Sequence, residues 1–397
     1  MISTLGSFPS LYLATLLMLA STGLFNTYIA LKLSADSVSA FWIGTMISAY
    51  YLGLVFGARV GHRLIIRVGH IRACAAAAVL SICSVLAQSL FDSLPIWIAL
   101  RLIVGVAMSV QYIVIESWLH EQTENSHRGR VMSVYMVMSG CGTALGQLAI
   151  TLYPTLDLRP LIFVALCQAL SLLPMVLTQR KLPIAQLPAP VDFPYFFKIA
   201  PQALFTVFLA GNISASFYGL AAVFAVGQGL STAQIALYTA TSVIAGLMAQ
   251  WPMGWLSDRV DRAKLIRNNA IVFTCIALLM WGWIDWPYWT MLIFAAGFGV
   301  IQFTFYALAS GLANDRVSPD KRVGLAAVVL MTYGVGATIG PMVAGALMRA
   351  GGVNMLYVFS SVCALTLVML MWRRHAPVST SAPNTSNAPN SPSEPKS

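Results

Sequence analysis

Apolar runs of about twenty residues recur along the chain with short polar breaks between them, and within the runs apolar and polar positions do not alternate. An α-helix needs about 20 apolar residues to cross the hydrocarbon of a bilayer, whereas a membrane β-strand shows period-two patterning over about 10. Twelve spanning helices are therefore expected, over 9–33, 40–61, 73–91, 94–118, 131–153, 160–178, 199–227, 233–256, 265–284, 287–313, 324–348 and 352–372. The predicted fold class is all-α and integral to a membrane.

The segments repeat. Gly105, Tyr112, Arg128, Gly140, Gly142 and Gly146 recur 194 residues later as Gly299, Tyr306, Arg322, Gly334, Gly336 and Gly340. Asn26 and Tyr218 correspond at an offset of 192. Two pseudo-symmetric six-helix halves are expected, 1–178 and 199–374, joined by a Pro-rich linker over 179–198 and followed by a disordered tail over 375–397. Pro183, Pro188, Pro190 and Pro194 are expected to keep the linker extended. Duplicated membrane halves can rock about a central site, the plan of secondary transporters.

Composition agrees: 58% hydrophobic residues, 9% charged and a mean hydropathy of +0.77 exclude an ordinary soluble domain. The net charge of +10 is explained by its distribution. Of 23 Lys and Arg, Lys32, Arg159 and Arg349 fall on one side, Arg101 falls inside a helix, and the other 19 share the opposite side with both termini. By the positive-inside rule the termini are cytoplasmic; no nucleic-acid partner is needed. With few residues ahead of the first apolar run and no Lys or Arg among them, the first helix is expected to act as its own targeting signal. The six cysteines lie in apolar segments without CxxC spacing and read as small core residues rather than disulfides or metal ligands. No nucleophile-base set, Walker loop or HExxH is present, so the expectation is no enzyme, no cofactor and no metal.

Between the eighth and ninth segments stands Gly254-Trp255-Leu256-Ser257-Asp258-Arg259-Val260-Asp261-Arg262, and the fourth carries Arg101-Leu102-Ile103-Val104-Gly105. These resemble the G-x-L-a-D-R-x-G-R loop and the R-x-x-x-G helix motif of the major facilitator superfamily. The equivalent first loop, 62–70, keeps Arg67 and Gly69 but has His62 at the first glycine and Ile66 at the acid. Glu116-Ser117-Trp118, Arg128-Gly129-Arg130, Gly142 to Leu148 and Gln250-Trp251-Pro252 are similar to the YcaD-like branch. The resemblance implies the twelve-helix fold, a compact bacterial inner-membrane permease, and Asp258 facing the start of helix 5 near Arg130; a monomer moving a small solute is expected.

A charge in the membrane interior marks function. Arg101 lies about 10 Å inside its helix and shares a face with Gly105, Met108 and Tyr112, a cationic wall suited to an anionic group. Asn26, Tyr112, Gln147, Tyr218, Gln302 and Tyr306 are candidate hydrogen-bonding partners of a solute. Glu116 is about 22 Å from Arg101 along the same helix, too far to pair, and is expected to join Arg67, Arg128, Arg130, Asp258, Arg259 and Arg262 in a cytoplasmic gate. At the repeat offset Arg101 becomes Ala295 and Glu116 becomes Ser310, so core charge belongs to the first half. Protons as coupling ion would depend on Glu116. Uptake of a small anionic or zwitterionic metabolite competes with efflux of an amphipathic compound; a membrane sensor or assembly factor that does not transport is the alternative of another class.

Overall fold

The computed structural model describes residues 8–124, 127–153, 155–177, 192–318 and 321–372. Among them are twelve long helices: α1 (Pro9–Ala35), α2 (Ala40–Val68), α3 (His70–Ala87), α4 (Leu94–Glu121), α5 (Arg128–Ala149), α6 (Arg159–Val176), α7 (Pro201–Gly227), α8 (Thr232–Ser257), α9 (Arg262–Leu279), α10 (Tyr288–Asn314), α11 (Arg322–Gly351) and α12 (Met355–Trp372). A 3-10 turn, Ile150–Leu152, prolongs α5. Eleven of these helices are long and apolar enough to cross a membrane. The twelfth, α9, falls short because Arg262, Lys264 and Arg267 lie in its first two turns.

Two expectations are corrected. The 62–70 stretch is not a loop: α2 runs on through it to Val68, and only Gly69, at φ +87°, turns the chain into α3. With Ile66 in place of the acid, nothing there breaks the helical hydrogen bonds before the glycine. Pro194 is not extended either. It sits in the first turn of a short helix, Phe193–Ile199, where a missing N–H costs nothing, and Asp192 caps that helix by accepting from the Tyr195 N–H at 3.1 Å. The remaining linker prolines, Pro183, Pro188 and Pro190, and the 375–397 tail lie outside the described residues.

The duplication is visible in backbone contacts. Gly142 and Gly146 on α5 lie against the carbonyls of Leu16 and Ala20 on α1; Gly336 and Gly340 on α11 lie against Phe208 and Asn212 on α7. Gly105 on α4 meets the Tyr50 carbonyl of α2 as Gly299 on α10 meets that of Ser242 on α8. The carbonyl partners correspond at an offset of 192 and the glycines at 194. Only a residue without a Cβ permits such approach, the small-residue rule of membrane helix packing.

Burial sorts the helices into layers. α7 is the most enclosed, with 89% of its most apolar window buried. By contrast α3, α6, α9 and α12 present Val79, Leu80, Leu166, Leu173, Val272, Val362 and Met369 outward, as lipid contact requires. The halves meet through α2 on α11, α5 on α8 and α1 on α7. Gly44 abuts Pro341, Gly345 abuts Ala40, Gly219 abuts Ile47, and Gly140 abuts Leu247, while Ala144 packs with Ala240 and Val243. These contacts run from mid-helix toward the ends with few arginines.

Candidate functional site

Arg101 is fully buried, a position that leaves a guanidinium dependent on protein partners. One nitrogen, Nη2, donates to Asn26 Oδ1 at 2.6 Å. The cation also lies 4.7 Å from the Phe25 ring centroid and 5.1 Å from that of Tyr50, distances at which ring quadrupoles attract it. Nε and Nη1 have no hydrogen-bond partner, and no carboxylate pairs with the residue among those described. Asn26 and Arg101, separate candidates in the sequence, thus form one unit across α1 and α4.

Around this unit stand tyrosines. Tyr112, one helical stretch below Arg101 on α4, shares a hydrogen bond with Tyr50 of α2. Tyr51, beside it, lies within electrostatic reach of Arg101 and of Tyr218 and Tyr333 from the other half. Tyr306 stands edge-on to Tyr333 with ring centroids 5.2 Å apart, and Tyr218 is edge-on to Phe303 at 6.0 Å. Tyr50, Tyr51 and Tyr333 are not among the sequence candidates. The signal that could have found them is depth: each is about three turns from the nearer helix end, away from the interfacial belt where membrane tyrosines usually sit, so each hydroxyl needs a polar neighbour.

The glutamines behave differently. Gln302 donates to Ser242 Oγ at 3.1 Å, Gln147 is buried, and the Oε1 of each lacks a partner. Gln111 accepts from Gln168 Nε2 at 2.7 Å, and Gln168 accepts from Ser21 Oγ at 3.0 Å. This last chain ties α4, α6 and α1 together within one half.

The expected gate is not assembled in this conformation. Glu116 accepts a hydrogen bond from Tyr135 of α5 at 3.1 Å rather than pairing with arginine, and it lies within electrostatic reach of Tyr306 of the other half. Arg67, Arg128 and Arg130 are exposed and have no ion pair among the described residues. Asp258 pairs with Arg262 at 3.3 Å, not with Arg130, and Arg262 in turn bridges to Asp315 at the end of α10. Arg259 lies over the Trp255 ring at 3.6 Å. The reason is local geometry: Asp258 ends α8 and Arg262 begins α9 four residues later, so the pair closes within its own turn. No group of His, Cys, Asp and Glu that could hold a metal occurs among the described residues.

The Major Facilitator Superfamily profile matches residues 11–316 and, in a second alignment, 203–396. "Uncharacterized MFS-type transporter YcaD" of Escherichia fergusonii is 27% identical over 359 residues, covering 90% of this chain and 93% of the relative. Among solved structures, the nucleoside transporter NupG superposes with a TM-score of 0.75 at 14% identity, covering 91% of this chain and 96% of that one. A bacterial homologue of the human lysosomal transporter Spinster, in an inward-facing and occupied conformation, gives 0.71 at 14%, covering 92% and 94%. At such identities the solved structures establish the shared fold.

Proposed function

Because this chain belongs to the Major Facilitator Superfamily of membrane transporters, we propose that it is a monomeric secondary carrier moving a small solute across a bacterial inner membrane by rocker-switch alternating access. Residues 1–178 and 199–374 act as the two rocking bodies, with the 179–198 linker and both termini in the cytoplasm, as the asymmetry of Lys and Arg supports. The observation that carries the reading is the uneven contact between halves. The ends bearing Ala40 and Gly345 are pressed together, while Arg67, Arg128, Arg130 and Arg259 stand exposed at the other mouth. That is the pattern of a carrier closed outward and open inward, with Arg101, Asn26 and the tyrosines between.

Proton coupling, on this reading, runs through Glu116. Among the described residues it is the one acid more than a helical turn inside a spanning helix, and such a group is where a membrane carrier takes up a proton.

Spin labels on Arg128 and Arg259 at one mouth, and on Asp36 and Asp285 at the other, test the motion in a variant lacking the six native cysteines. Pulsed distance measurements should give two populations in which one mouth widens as the other narrows. A single unchanging distance at both mouths, with no solute flux in proteoliposomes, would favour a sensor.

A further inference from the structure

Arg101 poses a problem of charge. Its guanidinium is wholly buried, one nitrogen is satisfied by a neutral amide, two nitrogens lack partners, and no carboxylate pairs with it among the described residues. A lone interior cation is costly, and the missing element is an anion with oxygen acceptors. Glu116 cannot serve, being about 22 Å away along α4.

The walls restrict which anion. Phe25 and Tyr50 lie against the guanidinium, Tyr51 is within electrostatic reach of it, and Tyr218 and Tyr333 of the other half are within reach of Tyr51. Rigid rings favour a flat aromatic partner in stacked or edge-on contact. Tyr51 and Tyr218, one from each half, each bring a hydroxyl that can bond a solute. One cation without a nearby acid matches a single negative charge, and gives a ligand's ammonium group nothing to pair with.

We propose that the solute is a planar aromatic monoanion of the carboxylate class, its carboxylate held by Arg101 and its ring by Tyr51, Tyr218 and Tyr333. This rests on the carrier reading above. Tyr50 is the cover: in the conformation seen its ring closes over Arg101 while its hydroxyl is held by Tyr112, and the ligand reaches the guanidinium when Tyr50 turns aside.

The test uses the full chain in detergent, with thermal shift and calorimetric titration of benzoate and 2-naphthoate beside cyclohexanecarboxylate, benzamide, phenylalanine and a nucleoside. The expected result is stabilisation by the aromatic carboxylates, weaker stabilisation by cyclohexanecarboxylate, and none by benzamide or phenylalanine. Arg101→Gln should weaken aromatic carboxylate binding by about tenfold or more, the loss of a hydrogen bond to a charged group, with Arg101→Lys retaining part. Should Arg101→Gln fail to fold, Tyr51→Phe and Tyr218→Phe provide the same reading through losses of several-fold. Equal binding of benzamide, binding unaffected in all these variants, or no response to any aromatic carboxylate overturns the proposal. Flux in proteoliposomes separates the two claims. Binding without flux overturns the carrier reading and keeps the site; flux of another solute without aromatic anion binding does the reverse.

Discussion

Gly44 of α2 and Pro341 of α11 meet backbone to backbone across the two halves, so closely that a Cβ added to Gly44 would collide with the Pro341 carbonyl oxygen. Ala40 and Gly345 repeat the arrangement one helical turn away. Closure at this end therefore depends on the absence of side-chain atoms at two positions.

Gly44→Ala should force the halves apart there. Overpacking of this kind costs about 1–3 kcal/mol, to be seen as a lowered melting temperature. Maleimide labelling of a cysteine introduced at Ala40 should accelerate several-fold. An unchanged labelling rate would show that the contact does not hold the closed form.

Removing the acceptor at Asn26 leaves Arg101 with rings alone. Asn26→Ala should destabilise the protein by about 1.5–3 kcal/mol, the range for a hydrogen bond to a charged group. Asn26→Asp should behave oppositely. It supplies the missing counter-charge and should preserve the melting temperature, yet weaken aromatic carboxylate binding by about tenfold or more, because the site is then already neutral. Unimpaired anion binding in Asn26→Asp would place the ligand elsewhere.

At Glu116 two substitutions separate structure from coupling. Tyr135→Phe removes the hydroxyl that bonds the carboxylate and should cost about 1–2 kcal/mol in stability. Glu116→Gln keeps the shape and an acceptor while removing the titratable proton. In proteoliposomes it should leave solute exchange running but abolish acceleration by a pH gradient. Gradient-driven uptake that survives Glu116→Gln would remove the residue from coupling.

The Arg262 bridge is exposed enough to be weak. Asp258→Ala should change stability by less than about 0.5 kcal/mol, and Asp315→Ala by about 0.5–1 kcal/mol, with both effects vanishing in about 1 M salt as screening shortens to about 3 Å. A larger loss for Asp258→Ala would point to a partner across the halves in another conformation.

How far the chain could be read in advance follows from what a sequence encodes. Depth along a helix is legible, because apolar length, flanking charge and glycine spacing all report it. Eleven of the expected spans therefore coincide with helices that qualify by length and hydropathy, and Arg101 and Asn26 both stand out at mid-membrane depth. Rotation about a helix axis, and which neighbour a face meets, are set by packing between distant segments. Hence the Asn26–Arg101 bond, the Tyr50 ring beside Arg101 and the Tyr135–Glu116 bond appear only in three dimensions. The arginine gate is not assembled in this conformation for a related reason. Residues that share a mouth by depth need not share a contact, and on the carrier reading proposed above the two rims are apart.

The polar start of α9 bears on how the protein is made. Arg262, Lys264 and Arg267 would oppose release of this segment into lipid on its own. The groups that accommodate its polar face come later in the chain: Thr304 of α10 accepts from Asn269 at 3.2 Å, and the Trp372 ring of α12 lies 5.3 Å from the Arg267 guanidinium. During translation α9 leaves the ribosome before either exists. Its polar side gains these partners only once α10 and α12 are in place, so the last helices complete the packing of α9 as well as their own.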